Sequence, residues 1–301
     1  MIKTLEGLLE RVKSLPKMKL AVAAAEDREV LHAVFDAKEA GIITPVLVGD
    51  VEKIEKIAAE LGFSLEGVEV LRGNDLADSA MKAVKLVSQG QADFVMKGLL
   101  DTSILLKAVL DKEYGLRTDS LLSHVMVYEP KMYHKLLFIT DGGMNIAPEL
   151  DAKVKILKNA VKAAKAFELE QVKAACIAAK EKVSDKMPST VDADAIAKLA
   201  AGGEFGEGVI VEGPLAFDLA ISKEAAQIKK FESQVAGDAD ILLVPTIEVG
   251  NAVGKALTYL ADAKSAGIIM GAKAPVVLVS RADSHESKLY SIALGAIIAN
   301  R

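Results

Sequence analysis

Short apolar runs rich in Val, Ile and Ala alternate with stretches of helical periodicity, and this alternation limits the possible folds more than any other feature. We interpret as strands the runs at residues 20–25, 46–48, 68–71, 93–96, 124–128, 136–140, 172–178, 208–211, 241–244 and 275–279. Apolar residues at helical spacing predict helices over residues 2–15, 28–40, 51–61, 76–89, 252–265 and 286–298. Strands that alternate with helices require crossover connections. The predicted fold class is therefore α/β, with largely parallel sheets covered by helices.

The length and composition favour two compact domains. A single core usually stops growing before a chain reaches 301 residues. Hydrophobic residues make up 51% of the chain and charged residues 26%, which excludes intrinsic disorder. Length alone places the seam between the domains near residues 124–128.

Charge and cysteine usage exclude several classes of protein. The net charge of −5 disfavours a sequence-independent nucleic-acid binder. Cys176 is the only cysteine, which excludes a disulfide framework and fits a reducing compartment. No apolar run reaches the length of about 20 residues that spans a bilayer, and the N-terminus does not resemble a secretory signal. We expect a soluble cytoplasmic protein that does not bind membranes.

His32, His124 and His134 are scattered along the sequence, without the spacing of metal ligands, so no metal site is predicted.

Glycine, charged residues and small hydroxyls follow five of the predicted strands. Ligands of parallel sheets collect beyond the carboxyl ends of the strands, where loops and helix N-termini expose N–H groups. Any one of these segments is explained by the turn that it must form. Together they predict a shared binding cleft. The five segments are residues 97–103, 141–145, 212–215, 245–251 and 280–284.

The segment that begins at Ser280 carries the most chemistry. Arg281 offers a planar fork suited to phosphate, and the neighbouring hydroxyl can donate to a developing oxyanion. Asp283 and Glu286 supply carboxylates within about a turn. An ordinary helix start, with Ser284 as the N-cap and Arg281 as a surface cation, explains the same residues equally well.

Two apparent motifs do not hold. Ser280, Asp283 and His285 are the residue types of a hydrolase triad, but they lack its order and its nucleophile elbow. Residues 250–256 look like a phosphate loop, yet the glycine spacing is one residue short and no Ser or Thr follows Lys255. The backbone of that segment can still approach a phosphate.

Taken together, the strand-end motifs make the chain resemble the phosphate acetyl/butyryl transferase family, most closely its butyryl-transferring members. The resemblance covers nearly the whole chain. Each motif is weak alone, but their order and spacing are specific. The motifs are Glu26-Asp27-Arg28, Met96-Lys97-Gly98, residues 139–145 (ITDGGMN), 211–218 (VEGPLAFD), 240–245 (DILLVP), 248–251 (EVGN) and Val279-Ser280-Arg281.

The resemblance implies transfer of an acyl group between coenzyme A and inorganic phosphate, by direct attack in a ternary complex. It also implies two α/β domains with the active site in the cleft between them. The first domain would comprise residues 1–126 and 271–301, and the second residues 127–270. Ser280 and Arg281 match the family's catalytic Ser-Arg pair. The acetyltransferase branch of the family also uses an aspartate a few residues further on, and that position holds Ser287 here. Glu286 beside it, or the earlier Asp283, is therefore expected to exchange the proton with the sulfur, and Glu286 is favoured.

Further roles follow from the same resemblance. Ser280 would donate to the tetrahedral oxyanion and Arg281 would bind phosphate, with Lys97 and Arg28 as additional cations. Asn145, Asn251 and the segment Asp141-Gly142-Gly143 would position the thioester arm. The predicted substrate-binding residues are Arg28, Lys97, Gly98, Thr102, Asp141, Gly142, Gly143, Asn145 and Asn251.

The expected ligands are coenzyme A and phosphate as substrates, with no tightly bound cofactor and no nucleic acid. A homo-oligomer is expected, as is common for an α/β enzyme of this size. Three alternatives stay open: a phosphate acetyltransferase, an oxidoreductase related to decarboxylating dehydrogenases, and a non-catalytic regulator that binds coenzyme A or a nucleotide. The oxidoreductase should carry a dinucleotide fingerprint or metal-binding aspartates, and neither is visible in the sequence.

Overall fold

The structure is a computed structural model that describes residues 1–280 and 283–301. Its helices, in chain order, are α1 (Leu5–Lys13), α2 (Arg28–Glu39), α3 (Val51–Leu61), α4 (Leu76–Ser88), α5 (Thr102–Val109), α6 (Leu150–Lys165), α7 (Pro188–Ala201), α8 (Phe217–Ile221), α9 (Lys223–Ile228), α10 (Ile247–Tyr259) and α11 (His285–Ala299). Its strands are β1 (Met18–Ala23), β2 (Ile43–Gly49), β3 (Glu69–Arg72), β4 (Phe94–Lys97), β5 (Ser123–Glu129), β6 (Leu137–Thr140), β7 (Val172–Ile177), β8 (Val209–Leu215), β9 (Ile241–Leu243), β10 (Lys264–Met270) and β11 (Val276–Val277).

The chain divides into two compact units. Unit 1 comprises residues Met1–Leu5 and Leu121–Ser265, and unit 2 comprises Glu6–Ser120 and Ala266–Arg301. In unit 2 the strand order is β3-β2-β1-β4-β11-β10, and the strands run parallel except where β10 pairs antiparallel with β11. The order reverses between β1 and β4, because β2 and β3 lie to one side of β1 and β4 lies to the other. Such a switch point opens a crevice at the carboxyl ends of the two strands.

Unit 1 has the strand order β5-β6-β9-β7-β8, with β5 antiparallel to β6 and the other pairs parallel. Strand β9 lies between β6 and β7, so its carboxyl end lies beside that of β6. A core built on Leu137, Ile139 and Leu242 is almost completely buried. The predicted α/β class with largely parallel sheets is confirmed.

Aspartates begin three of the helices in unit 2. Asp27, Asp50 and Asp75 precede α2, α3 and α4, and each side chain accepts a hydrogen bond from a backbone N–H of the first turn. These bonds satisfy donors that have no partner within the helix, and the negative charge is favourable at the positive end of the helix dipole. The α-helical stretches after the short strands therefore begin at defined residues.

The prediction of one helix over residues 252–265 is wrong at both ends. Helix α10 begins earlier, at Ile247, and ends at Tyr259, while residues from Lys264 onward form β10. The segment of β10 is KSAGIIM, in which small residues hide the β-strand pattern, but six of its seven residues are buried in the sheet. The loop-like segment 250–256 is likewise helical, because it lies within α10.

The loop predicted after residue 211 is also wrong. Residues 212–215 continue strand β8, which runs from Val209 to Leu215 and contains Pro214. Within unit 1, β8 pairs with β7 alone, so a proline without an N–H is tolerated on its open side.

Among the described residues, no helix combines the length and the apolar character that a bilayer-spanning segment needs.

Candidate active site

The carboxyl ends of β1 and β4 form one corner of the candidate site in unit 2. Ala23 lies opposite Lys97 in the parallel pair. After β4, Gly98 N donates to Ala23 O at 2.8 Å, and Leu99 N donates to Ala24 O at 2.7 Å. A Cβ atom at Gly98 would lie 2.1 Å from Ala24 O, which is backbone and cannot move aside. Only glycine therefore allows the chain to turn so closely over the neighbouring strand.

Lys97 ends β4 with its side chain buried at 6% exposure. Its ammonium Nζ donates to Gly98 O at 3.3 Å and to Leu100 O at 3.1 Å. Both acceptors are backbone carbonyls of the loop that follows the strand, so the ammonium lies directly beneath that loop.

Two further predicted residues lie at helix starts of the same unit. Thr102 is the first residue of α5 and is half-buried. Arg28 is the first residue of α2, and its Nη1 lies 3.4 Å from Glu60 Oε2 in an exposed ion pair. To contact an anionic substrate, the Arg28 guanidinium would have to leave this ion pair. Breaking the pair costs little free energy, because an exposed ion pair contributes about 0–1 kcal/mol to stability.

Two hydrogen bonds join Ser280 to Asp283, shortly before the start of α11. Ser280 N donates to Asp283 Oδ2 at 2.8 Å, and Asp283 N donates back to Ser280 O at 3.1 Å. Ser284 then caps α11, accepting from Ser287 N at 3.2 Å. Arg281, the predicted phosphate ligand, lies outside the described residues. The predicted N-cap at Ser284 is therefore present, and the Asp283 carboxylate is bonded to Ser280.

Glu286 is engaged elsewhere. Its Oε1 lies 3.0 Å from the hydroxyl of the buried Tyr290, which also lies 3.2 Å from Glu6 Oε2. Sequence reasoning missed Lys288, a residue 3% exposed whose Nζ donates to Asp283 O. A buried cation one turn into α11 therefore holds the backbone of Asp283.

In unit 1, the buried carboxylate of Asp141 organises the loop that follows β6. Its Oδ1 accepts from Gly143 N at 2.8 Å and Met144 N at 2.9 Å. Its Oδ2 accepts from Asn145 Nδ2 at 2.6 Å and from His124 N at 3.1 Å. With Asp141 only 3% exposed, these four donors use its oxygens inside the protein. The Asp141 carboxylate therefore lies beneath the loop, where it is bonded to the loop backbone rather than exposed at its surface.

The loop packs against the start of α10 through two glycines. A Cβ atom at Gly142 would lie 2.8 Å from Gly250 C, and one at Gly250 would lie 2.7 Å from Gly142 Cα. Gly143 is equally confined, because its Cβ atom would lie 2.5 Å from His124 Nδ1. The exposed Asn251 extends this contact, with its Nδ2 3.4 Å from Gly142 O. Four predicted residues of unit 1 are therefore brought together with Asp141: Gly142, Gly143, Asn145 and Asn251.

A cavity of about 530 Å³ lies beside this loop within unit 1. Its walls include the first residues of α6 and α7 and the residues that precede α10. Lys153 and Asp192 form an ion pair of 2.6 Å in its lining. Helix N-termini favour negative charge, so this end of the sheet offers both apolar and anion-compatible surface.

Cys176 takes no part in this arrangement. The thiol is fully buried in β7, and burial raises its pKa to about 12. A thiol held in its neutral form is a poor nucleophile. The structure therefore offers no thiolate at this cysteine for a covalent acyl intermediate.

Comparison with known proteins gives one consistent family. The model of the family described as "Phosphate acetyl/butaryl transferase" matches residues 3–77 and 73–296. The chain is 48% identical to the phosphate butyryltransferase of Clostridium acetobutylicum, over 99% of both chains. It is 44% identical to the phosphate acetyltransferase of Thermotoga maritima, over 98% of this chain and 99% of the relative.

A solved structure agrees with these relatives. The branched-chain phosphotransacylase of Enterococcus faecalis superposes with a TM-score of 0.82 at 35% identity, covering 94% of this chain and 99% of the other. The strand-end loops described above therefore belong to a fold that the relative shares over nearly its full length.

Proposed function

The chain belongs to the phosphate acetyl/butaryl transferase family, and on that premise we propose that it transfers a short-chain acyl group, preferably butyryl, between coenzyme A and inorganic phosphate. In one direction butyryl-CoA and phosphate give butyryl phosphate and free coenzyme A. The observation that carries this proposal is the 48% identity to a phosphate butyryltransferase over 99% of both chains.

The chemistry needs two reactants held together more than it needs a reactive side chain. A phosphate oxygen attacks the thioester carbonyl, the C–O bond forms, and the C–S bond breaks as the sulfur leaves and takes a proton. Bringing both substrates into one complex lowers the entropic part of the barrier. The buried thiol of Cys176 is consistent with direct attack, since that route needs no acyl-enzyme.

Ser280 and Arg281 are proposed as the catalytic pair. The Ser280 hydroxyl would donate to the oxyanion of the tetrahedral intermediate, and the Arg281 guanidinium would bind the attacking phosphate. Two hydrogen bonds between Ser280 and Asp283 support this assignment, because they hold the backbone of the hydroxyl-bearing residue. A preorganised donor is what electrostatic stabilisation of an oxyanion requires.

For the proton at sulfur, the contacts support Asp283 over Glu286. The Asp283 carboxylate lies beside Ser280, with Oδ2 2.8 Å from Ser280 N. The Glu286 carboxylate instead contacts the buried Tyr290 hydroxyl at 3.0 Å. Asp283 is therefore the carboxylate nearer to a leaving group held at Ser280, which is where a proton donor is needed.

Lys97 is proposed as the second cation for phosphate, and the ammonium bound to Gly98 O and Leu100 O supports this role. Gly98 and Thr102 would contribute through the backbone of the same loop and the start of α5. Arg28 is a weaker candidate, because it is exposed and paired with Glu60. In unit 1, Asn145 and Asn251 would position the thioester arm, with Asp141, Gly142 and Gly143 holding the loop in place.

The test is release of the coenzyme A thiol from butyryl-CoA in the presence and absence of inorganic phosphate. We expect release only with phosphate, together with stoichiometric butyryl phosphate trapped by hydroxylamine. A panel from acetyl-CoA to hexanoyl-CoA gives the chain-length preference. A higher kcat/KM with acetyl-CoA would favour the acetyltransferase alternative, to which the 44% identical Thermotoga relative points. Binding of butyryl-CoA without any turnover would overturn the proposal.

The remaining expectations are part of the same proposal. The substrates would be the only small molecules that the reaction requires, and the enzyme would work as a cytoplasmic homo-oligomer without a tightly bound cofactor. Light scattering coupled to gel filtration measures the oligomeric state. Activity that survives exhaustive dialysis tests the cofactor expectation.

A further inference from the structure

Three side chains that are distant in the sequence lie together on the surface of unit 2. His32 and Asp36 are four residues apart on α2, so they lie on the same face of the helix. His285 begins α11, which packs against α2. The ligand atoms of the three side chains all lie within 4.8 Å of one another. Sequence reasoning missed this cluster, because 253 positions separate the two histidines and only the packing of the two helices joins them.

We propose that His32, Asp36 and His285 form a binding site for a divalent late first-row transition-metal ion, of which Zn²⁺ is the representative. Two imidazole nitrogens and one carboxylate oxygen are a donor set that suits Zn²⁺, Ni²⁺ and Cu²⁺. This proposal goes beyond the acyl-transfer reaction and does not depend on it.

The geometry is close to that of a bound site. His32 Nε2 lies 3.9 Å from Asp36 Oδ1. The rings of His32 and His285 are stacked, with centroids 4.6 Å apart and planes inclined by 28°. Two ligands of a tetrahedral Zn²⁺, each about 2.0–2.2 Å from the ion, lie about 3.4 Å apart. The separations of at most 4.8 Å thus exceed this spacing by little more than 1 Å, and the exposed side chain of His285 is the one with room to adjust.

The surroundings favour a fixed site over a chance meeting of mobile side chains. His32 and Asp36 are 38% and 30% exposed, so both are partly held by their neighbours. The ring of Phe63 lies 5.8 Å from that of His32 and is itself stacked on Phe35 at 4.6 Å. This apolar backing restrains the His32 ring on one side and leaves the ligand atoms accessible.

Three protein ligands leave at least one coordination position open for water or an exchangeable anion. An open site of this kind binds more weakly than a closed structural zinc site. Its occupancy would join the first residue of α11 to α2.

The experiment is titration of untagged, full-length protein with ZnCl₂ by isothermal calorimetry, after treatment with EDTA and dialysis. The variants are His32→Gln, Asp36→Asn and His285→Gln. The control is His134→Gln, which removes an exposed histidine that also pairs with a carboxylate, 2.8 Å from Asp238 Oδ1 in unit 1. We expect one equivalent of Zn²⁺ to bind, and loss of either His32 or His285 to weaken binding at least about 10-fold, the lower end of the effect of removing groups that support a metal site.

A second measurement detects metal coordination directly, without relying on the stability of the protein or on its catalytic activity. Co²⁺ bound by the same residues gives visible absorption bands whose intensity reports coordination number. We expect these bands in the wild type and in His134→Gln, and their loss in His285→Gln, whose side chain is exposed and whose removal should leave the fold intact. Equal Zn²⁺ affinity in the wild type and His285→Gln, or a loss of binding in His134→Gln, would overturn the proposal. Neither result bears on acyl transfer, which is measured separately by phosphate-dependent thiol release.

Discussion

Replacing Asp141 by alanine removes the acceptor on which the 141–145 loop is built. The side chain is 3% exposed and receives hydrogen bonds from the backbone N–H groups of His124, Gly143 and Met144 and from Asn145 Nδ2. An unsatisfied buried donor costs about 1–3 kcal/mol, and bonds to a charged acceptor lie at the upper end of that range. Water that enters the site and local movement of the loop satisfy some of these four donors, so we expect a net loss of about 3 kcal/mol in the free energy of unfolding.

A loss of this size is readily measured. For a domain of about 150–250 residues, each kcal/mol lowers the Tm by about 2–4 °C, so Asp141→Ala should melt about 6–12 °C below the wild type. The control is Asp151→Asn, an exposed carboxylate in the first turn of α6 of the same unit, which should shift the Tm by less than about 2 °C. Differential scanning calorimetry provides both values.

The assay also separates a positioning role from direct contact with substrate. If Asp141 acts by holding the loop, Asp141→Asn should lower both stability and kcat/KM, because its amide places a donor against two N–H donors. An Asp141→Asn variant that melts with the wild type but loses affinity for coenzyme A would refute the reasoning. So would an Asp141→Ala variant whose Tm is unchanged.

Three other changes test the rest of the site. Gly98→Ala places Cβ 2.1 Å from Ala24 O, so it should lower the free energy of unfolding by at least about 1–3 kcal/mol and also lower the activity. The control is Gly202→Ala, where the atom nearest to the added Cβ would lie at 3.3 Å, and its Tm should be within about 2 °C of the wild-type value. Arg281→Gln should raise the phosphate KM and lower kcat/KM about 100-fold, as expected for a lost charge contact; an unchanged phosphate dependence would remove this assignment. Asp283→Asn should lower kcat about 100-fold or more and abolish one limb of the pH–rate profile, while Glu286→Gln keeps most of its activity; the opposite ranking would make Glu286 the proton carrier.

Much of the fold could be predicted because its signals are local. Strands β4 and β6 are buried throughout and each begins with three apolar residues, and the Asp-capped helices of unit 2 begin where the period of the sequence changes. Strand β10 could not be predicted, because Lys264-Ser265-Ala266-Gly267 has low intrinsic strand preference and is held in the sheet by tertiary burial. The position of Pro214 inside a strand is equally hidden from the sequence, because a proline is tolerated there only through the place of β8 in the sheet.

The candidate site shows the same division. The sequence placed chemistry at strand ends, and the structure brings Asp141, Gly142, Gly143, Asn145 and Asn251 together there. The sequence pattern alone does not distinguish a ligand from a positioning residue, because the difference depends on which N–H groups donate to the Asp141 carboxylate in the folded protein. The same holds for Lys288, whose burial and contact with Asp283 O arise only when α11 packs.

The central claim is direct attack of phosphate on a bound acyl-CoA, and initial rates with both substrates varied test it most directly. We expect double-reciprocal lines that intersect, and no release of coenzyme A thiol before phosphate is added. Parallel lines, or a stoichiometric burst of thiol from butyryl-CoA alone, would reveal an acyl-enzyme and would contradict the account.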